Sequence, residues 1–461
     1  MSARNFLRSD VFIGLAEKCK VLVVSPLSKD PNFIEEFGRP GVTFEDLPVR
    51  RSKSRSVIEK LLFVLQTYWF TKKNPIETLM MLKNDLARLH PIRYLLYVVY
   101  SEITGRIPFF ERALENLYLK EASDIVAERL LRHNNVDLVF ATHGYAQEEM
   151  SILLAARKMG IPVVMMIHSW DNITSKSGLK QMTSSEVGRL LPVRLVDRFI
   201  VWNEIMADEL RDMYGVSWGR IFISGIPQFD SYMGVEKLVS REEFFKKLGM
   251  DPDKKVLFLL ATAPSLVHDQ TVVVKTIIDV MRSGALAKSS QVLIRFHPRT
   301  DMRDWIDLFK GPDVFFQQPS VAFGALPVKS GWTKEGPASN ELGEALAHSD
   351  IVINGMSTSA LDAAVFDKPI ICFGFDGDPV NNKVVPLYYK NTHYAKLLAL
   401  GGIRVAWNPD QLVDCLNVYL KDSTVDAAGR KDIREKECFR LDGKAGERIA
   451  EFVLEYLGGE K

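Results

Sequence analysis

Short apolar runs rich in valine and isoleucine recur along this chain, with helix-length segments between them. Val21–Val24, Asp137–Phe140, Val163–Ile167, Phe199–Trp202 and Ile221–Ile223 form a first series. Val256–Leu260, Gln291–Phe296, Val314–Phe316, Ile351–Ile353 and Ile370–Phe373 form a second. A run that is apolar on both faces is what a buried parallel strand requires. Strand and helix in alternation predict a parallel α/β sheet, here twice over. The polar, charged stretch Ser231–Lys255 separates the series. It predicts a boundary near residue 235, with one domain over 1–235 and another over 236–461. Two such units are expected to face each other across a cleft. Ligands then bind beyond the carboxyl ends of the strands.

The bulk numbers agree with this reading. A chain of 461 residues exceeds one ordinary domain. Apolar residues make up 47% and charged residues 25%, which is globular rather than disordered composition. The net charge of +1 gives no electrostatic case for a nucleic-acid partner. Cys19, Cys372, Cys415 and Cys438 form no CxxC pair and no zinc-like spacing. They read as reduced thiols of a reducing compartment, so a cytoplasmic location is expected. The first twenty residues lack the apolar core of a signal peptide, and no run of about 20 apolar residues exists to span a bilayer.

Residues 50–120 break the alternation. They open on the basic run Arg50–Arg55 and continue through Leu61–Leu65 and Tyr94–Tyr100. Helices inserted into the first domain are expected here. One reading makes them a lip that docks on an anionic membrane or a lipid-linked acceptor. The preferred reading packs them on the sheet, with the basic residues solvated at their ends.

Four segments carry candidate chemistry. In Ser349–Ala364 a strand ends at Ile353, a turn of small residues follows, and a helix starts near Ser357. A helix start offers unpaired N–H groups and the positive end of the dipole, worth about 0.3–2 kcal/mol. Ser357, Thr358 and Ser359 add hydroxyl donors, which together suit a diphosphate. Asp362 lies one turn on, where its carboxylate can accept from ribose hydroxyls. Ser357 is equally well read as a simple helix cap.

Arg295–Arg299 closes another buried strand. His297 sits at the sheet end, where an imidazole can bond or neutralise a phosphate. Arg295 and Arg299 can bind phosphate bidentately. In the first series, Ile167–Lys176 follows a buried strand and is expected to line the cleft from the other side. A transferase must take a proton from its acceptor hydroxyl, and a placed base contributes about 10²–10⁴-fold. His168 is the preferred base and Asp171 the other, with Asn172 and Lys176 as acceptor contacts. A core histidine bonded to backbone is the alternative for His168. His143, at another strand end, is a weaker choice for the acceptor side. Ala261–Ser265 can bring Ser265, and nearby His268, to the diphosphate. Gly225–Asp230 reads as a turn before the linker.

In this order the segments resemble GT-B transferases, especially the CDP-glycerol glycerophosphotransferase-like group and similar bacterial surface-polysaccharide transferases. His168 to Lys176 is similar to that group's histidine-led acceptor loop. Gly225-Ile226-Pro227-Gln228-Phe229-Asp230 matches its Gly-x-Pro-Arg-x-Asp turn except at Gln228. Ala263-Pro264-Ser265 is close to its Ala-Pro-Thr loop, but Val267 stands for the arginine. His297-Pro298 and the hydroxyl cluster Ser357–Ser359 also match. The resemblance covers roughly residues 137 to 375. It implies an α/β GT-B-like fold of two Rossmann-like parallel-sheet domains facing across a cleft. It also implies a catalytic His168 and a phosphate-contacting His297.

The implied partners are a nucleotide-sugar or CDP-alcohol donor and a glycan or lipid-linked acceptor. The departures at Gln228 and Val267 bring in a nucleotide sugar beside a glycerol-phosphate donor. Retaining GT-B enzymes carry two glutamates eight positions apart near this helix. Asn354 and Asp362 stand there instead, which points to an inverting transferase. UDP-sugar 2-epimerases of the same fold carry Gly-Gly and Glu-Glu where this chain has Ser357-Thr358 and Leu361-Asp362. A catalytically dead binding subunit would not need both His168 and His297. No Asp-x-Asp motif sits at a suitable strand end, so no obligatory metal and no cofactor are expected.

Overall fold

The computed structural model describes residues 3–47, most of 57–121, 125–142, 147–176, 193–233, 238–297, 303–318 and 341–459. Twelve strands lie among them. The first six are β1 (Val21–Val24), β2 (Val42–Glu45), β3 (Val139–Ala141), β4 (Val163–Met166), β5 (Arg198–Val201) and β6 (Ile221–Ile223). The other six are β7 (Lys255–Leu260), β8 (Ser290–Arg295), β9 (Val314–Gln317), β10 (Ile351–Asn354), β11 (Ile370–Phe373) and β12 (Ile403–Ala406). β3–β6 form one parallel sheet in chain order, and β7–β12 form a six-stranded parallel sheet. Every residue of β4, β10 and β11 is buried, as double-sided helix cover requires. The described residues therefore build two larger parallel α/β sheets, one from each series, beside a two-stranded sheet.

Three features depart from the sequence reading. β1 does not join the four-stranded sheet but pairs in parallel with β2, a strand the apolar runs did not reveal. β12 extends the larger sheet past β11. Its Ile-Arg-Val-Ala sequence hides it, because an edge strand has a side free for a charged residue. Arg404 uses that side to reach Asp426 at 2.6 Å.

The third departure concerns the end of the second series. The Ala445–Gly458 helix returns to the first half and packs on the Asp10–Lys18 helix. Ile449, Ala450 and Val453 bury one face of the β4–β5 region together with Val11 and Leu15. Gly14 allows this contact, since a Cβ there would lie 2.9 Å from the Ala450 Cβ.

The inserted segment is helical where described, with helices Glu77–Leu89, Pro91–Thr104 and Phe110–Glu121. The basic run at Arg50–Arg55 lies outside the described residues. Among the described residues, no helix is long and apolar enough to cross a membrane.

Candidate active site

The larger sheet runs in the order β9-β8-β7-β10-β11-β12. Chain direction across the sheet reverses between β7 and β10, and ligands of open α/β sheets bind at such a switch point. Register sets three loops level there. Asn354 pairs with Leu260, and Leu260 with Arg295. The loops leaving β10, β7 and β8 therefore start side by side, about 5 Å apart. These are the serine turn, the Ala261–Ser265 loop and His297.

Side chains brace this end of the sheet. The Gly355 amide donates to Thr262 Oγ1 at 3.0 Å, tying the β10 loop to the β7 loop. A Cβ on Gly355 would lie 2.3 Å from the same oxygen, so only glycine allows the approach. Gln270 splints Thr262 by accepting from its amide at 2.8 Å and donating to its carbonyl at 2.7 Å. Asp376, after β11, accepts from the His268 and Asp269 amides. Its burial opposes ionisation, but bonds from Asn381 and three amides outweigh that and hold the carboxyl below its usual range. Neither Gln270 nor Asp376 was singled out in the sequence. Asp376 acts between two loops and Gln270 within one, and no motif spacing marks either.

The serine turn is half-buried. Ser357 Oγ lies 3.1 Å from Ser359 Oγ and accepts from the Ser359 amide at 3.3 Å. His297 is also half-buried, directly beyond β8. Arg295 faces Glu341 across 3.6 Å, so part of its charge is met within the protein. Ser265 is exposed, and Arg299 lies outside the described residues. Asp362 differs from the sequence expectation. It is only 4% exposed, and it accepts from the Tyr232 hydroxyl at 2.8 Å. Its carboxylate ties the linker to the helix, where ribose hydroxyls were expected.

From the other half, β4 delivers His168 at its carboxyl end. The ring is 8% exposed and its Nδ1 lies 2.7 Å from the Thr142 carbonyl oxygen. A carbonyl can only accept, so Nδ1 carries the proton and Nε2 is the basic nitrogen. Asn5 donates to the His168 carbonyl at 2.8 Å. Ser169 Oγ donates to Asp171 at 2.5 Å. Asn172 is buried in the helical turn Asn172–Lys176, and Tyr214 Oη donates to the Ile173 carbonyl at 3.0 Å. The Lys176 side chain and His143 lie outside the described residues.

The two loops meet. Trp170 Nε1 donates to Thr358 Oγ1 at 3.2 Å, joining the histidine loop to the serine turn. The Trp170 ring meets His393 edge-on at 4.8 Å and Tyr394 at 5.8 Å. Trp170 and His393 were not among the residues the sequence suggested. Trp170 stands between polar residues of the histidine loop, and only the fold reveals that it bridges two halves.

On the same helix as His393, Lys396 reaches Glu209 at 2.7 Å. Asn203 caps the Glu204–Tyr214 helix and donates to the Glu437 carbonyl at 2.8 Å. Burial pushes Glu437 up to about 7, and the nearby Glu209 carboxylate adds to the rise. Burial raises Glu209 as well, while Lys396 pulls it down.

The Gly225–Asp230 turn seats the returning helix. Asp230 caps it, accepting from the Ala445 and Gly446 amides at 3.1 and 2.7 Å. Arg448 donates to the Ser224 carbonyl at 2.7 Å. Gly225 has φ +88°, and a Cβ there would crowd Arg448 and Ala445. Gln228 and Val267, the two departures from the family motifs, are both buried, Val267 at 2% exposure. Among the described residues, no group of three His, Cys, Asp or Glu side chains is placed to hold a metal ion.

A family model for CDP-glycerol:poly(glycerophosphate) glycerophosphotransferase matches residues 162–455. A Glycosyltransferase Family 4 model matches residues 87–223. No curated protein matches the chain in sequence. Among solved structures, UDP-GlcNAc 2-epimerase from Neisseria meningitidis bound to UDP-GlcNAc is 12% identical, with 94% of this chain and 98% of that one covered and a TM-score of 0.48. The S. aureus MnaA–UDP co-structure is 14% identical, covering 72% and 79%, at a TM-score of 0.48. The wall teichoic acid polymerase TagF with CDPG is 15% identical, covering 76% and 96%, at a TM-score of 0.41. The glycerophosphotransferase match begins at β4, takes in both histidine loops and the serine turn, and ends within the returning helix. Spanning well over half of the sequence, it shows that the chain belongs to the CDP-glycerol:poly(glycerophosphate) glycerophosphotransferase family and is a GT-B-type transferase.

Proposed function

We propose that the protein is an inverting glycosyltransferase of cell-surface polysaccharide synthesis. It moves a sugar from a nucleotide-activated donor to an acceptor hydroxyl without a metal. The observation that carries this reading is the Trp170–Thr358 bond, which brings the His168 loop against the serine turn at the switch point. In the proposed step, the acceptor oxygen attacks the anomeric carbon opposite the leaving group. Its proton passes to His168 Nε2, with Asp171 bonded to Ser169 in the same loop. The bond from the anomeric carbon to phosphate oxygen breaks, and the nucleotide leaves with the electron pair. His297 and the donors of Ser357–Ser359 take up the charge that develops there. A nucleotide-activated donor puts the reaction in the cytoplasm, where such donors are made.

Two buried residues favour a sugar donor. Where the family motifs carry arginine, Gln228 and Val267 lie inside the protein and add no cation to the cleft. The second reading is glycerophosphate transfer from CDP-glycerol, favoured by the family match over 162–455. There the acceptor oxygen attacks phosphorus, the diphosphate bridge breaks, and CMP leaves.

Thermal shifts with UDP, CDP, CMP and GDP, repeated on His297→Ala, test the donor site. A nucleotide at 100 times its Kd stabilises by about 2.7 kcal/mol. The expected result is one responsive nucleotide and its loss in the variant. No response to any of them sinks the reading. Turnover of CDP-glycerol in place of nucleotide sugars would establish the second reading. Epimerised or free sugar released without acceptor would point to isomerase chemistry.

A further inference from the structure

Three buried polar side chains adjoin the serine turn, and the proposed reaction does not use them. Asn354 is the last residue of β10, and Cys372 stands beside it in register on β11. Tyr394 comes from the Thr392–Ala399 helix. None of the three is more than 1% exposed. The Cys372 thiol donates to Asn354 Oδ1 at 3.1 Å. A carboxamide oxygen can only accept, so this bond uses the thiol proton and leaves Sγ as an acceptor. Tyr394 Oη lies 3.3 Å from Sγ and is then the donor of that bond. The Tyr394 oxygen in turn accepts a backbone bond from Ser357.

These bonds run in one direction. The Ser357 amide gives to the Tyr394 hydroxyl, the hydroxyl to the Cys372 thiol, and the thiol to the Asn354 carboxamide. Burial pushes the thiol up to about 12 and the phenol well above its ordinary value, so both keep the protons these bonds need. The series begins and ends on one short segment, since Asn354 and Ser357 bound the turn that leaves β10. Between them, Thr262 holds the Gly355 amide, and Met356 Sδ lies 3.7 Å from Nδ2 of Asn391, at the start of the Tyr394 helix. The turn is therefore fixed from the β7 side by Thr262 and from the β11 side by Cys372 and Tyr394. Phenylalanine would fill the place of Tyr394 without a polar atom to satisfy. What the hydroxyl adds is its hold on Ser357.

We infer that Tyr394, braced by Cys372 and Asn354, is a positioning residue for the donor, setting the Ser357 backbone so that the hydroxyls of Ser357–Ser359 converge on the donor phosphates. The inference rests on the reading of the serine turn as the donor site. It assigns the Ser357 amide to the protein and leaves that residue its hydroxyl for phosphate.

Isothermal titration of the whole chain with CDP and with UDP tests it. Tyr394→Phe should bind whichever diphosphate the parent binds about five- to tenfold more weakly. Cys372→Ala interrupts the same bonds and should weaken binding comparably. Cys372→Ser keeps a donor and an acceptor in place and should bind within about twofold of the parent. Packing alone predicts the reverse order for the two cysteine variants, because alanine buries no polar side-chain atom and serine does. A Tyr394→Phe variant that binds like the parent overturns the inference, and so does a Cys372→Ser variant as weak as Cys372→Ala. His297→Ala separates this result from the donor-site reading. Binding lost in His297→Ala but kept in Tyr394→Phe removes the positioning role alone. A parent that binds neither CDP nor UDP removes the donor-site reading and this inference with it.

Discussion

The two histidine loops reach the same crevice by opposite means. The His297 side is made from within one sheet. Strand order and register set its loops level, and Thr262, Gln270 and Gly355 lock them without help from the first half. The His168 side is made from outside its own sheet. Asn5 holds the histidine carbonyl, Tyr214 holds the following turn, and Trp170 is fixed by a hydroxyl of the other half. One side exists before the halves meet, and the other takes its final form only when they do. This suits an order in which the donor binds a ready-made site and the acceptor loop completes it.

The largest effect expected separates the two sides by function. His168→Ala should lower kcat by about 10²–10⁴-fold and leave the nucleotide-induced thermal shift intact. His297→Ala should lose that shift. Equal losses of both readouts in both variants would erase the distinction.

Next comes the buried cluster of Lys396, Glu209 and Glu437. Folded Glu437 titrates near 7 against an ordinary 4.5, so the native state holds a proton that the unfolded chain releases between those values. Native stability therefore falls as pH rises through that window. Glu437→Gln should gain up to about 3 kcal/mol over the parent at pH 8 and nothing at pH 4. Urea denaturation at the two pH values decides it, and a gain that ignores pH would mean that packing, not titration, is responsible.

Gly355→Ala strikes the preformed side. The added methyl meets Thr262 Oγ1, and such overpacking costs about 1–3 kcal/mol. Pairing it with Thr262→Ala should restore most of the melting temperature. If the pair melts no higher than Gly355→Ala, the lock has been misplaced. The smallest effect belongs to the bridge. Trp170→Phe keeps an aromatic ring but removes the indole N–H bond, worth about 0.5–1.5 kcal/mol, together with part of the buried ring's bulk. It should raise the acceptor KM or lower kcat with the nucleotide shift unchanged. A variant kinetically identical to the parent would show that the halves register without it.

The parts of this molecule legible in sequence are those that a short window contains. β4, β11 and β10 as far as Ile353 are apolar because helices cover both their faces, and the runs show it. His168, His297 and the serine turn follow directly on such runs, so their place at the sheet end could be read. The rest depends on distant partners. Asp362 looks ready for a ribose until Tyr232, 130 positions away, takes it. Asp230 reads as a turn residue until the Ala445 and Gly446 amides arrive. Arg404 conceals an edge strand, since an edge needs only one apolar side. Gln270 closes its own loop onto Thr262, eight positions back, a fold-back that no periodic pattern marks.

The returning helix also governs when this protein can become itself. Val164, Met166 and Ile200 emerge from the ribosome nearly three hundred to about 250 residues before the Ile449–Val453 surface that covers them. For that interval the first sheet has an uncovered apolar face, and Asp230 waits for the amides it caps. The first half is therefore completed by the last described segment of the chain, long after its own strands have been made. Contacts this far apart in sequence slow folding and lengthen exposure to aggregation. A chain broken off before residue 445 would lose the cover of its first sheet while its second sheet was already whole.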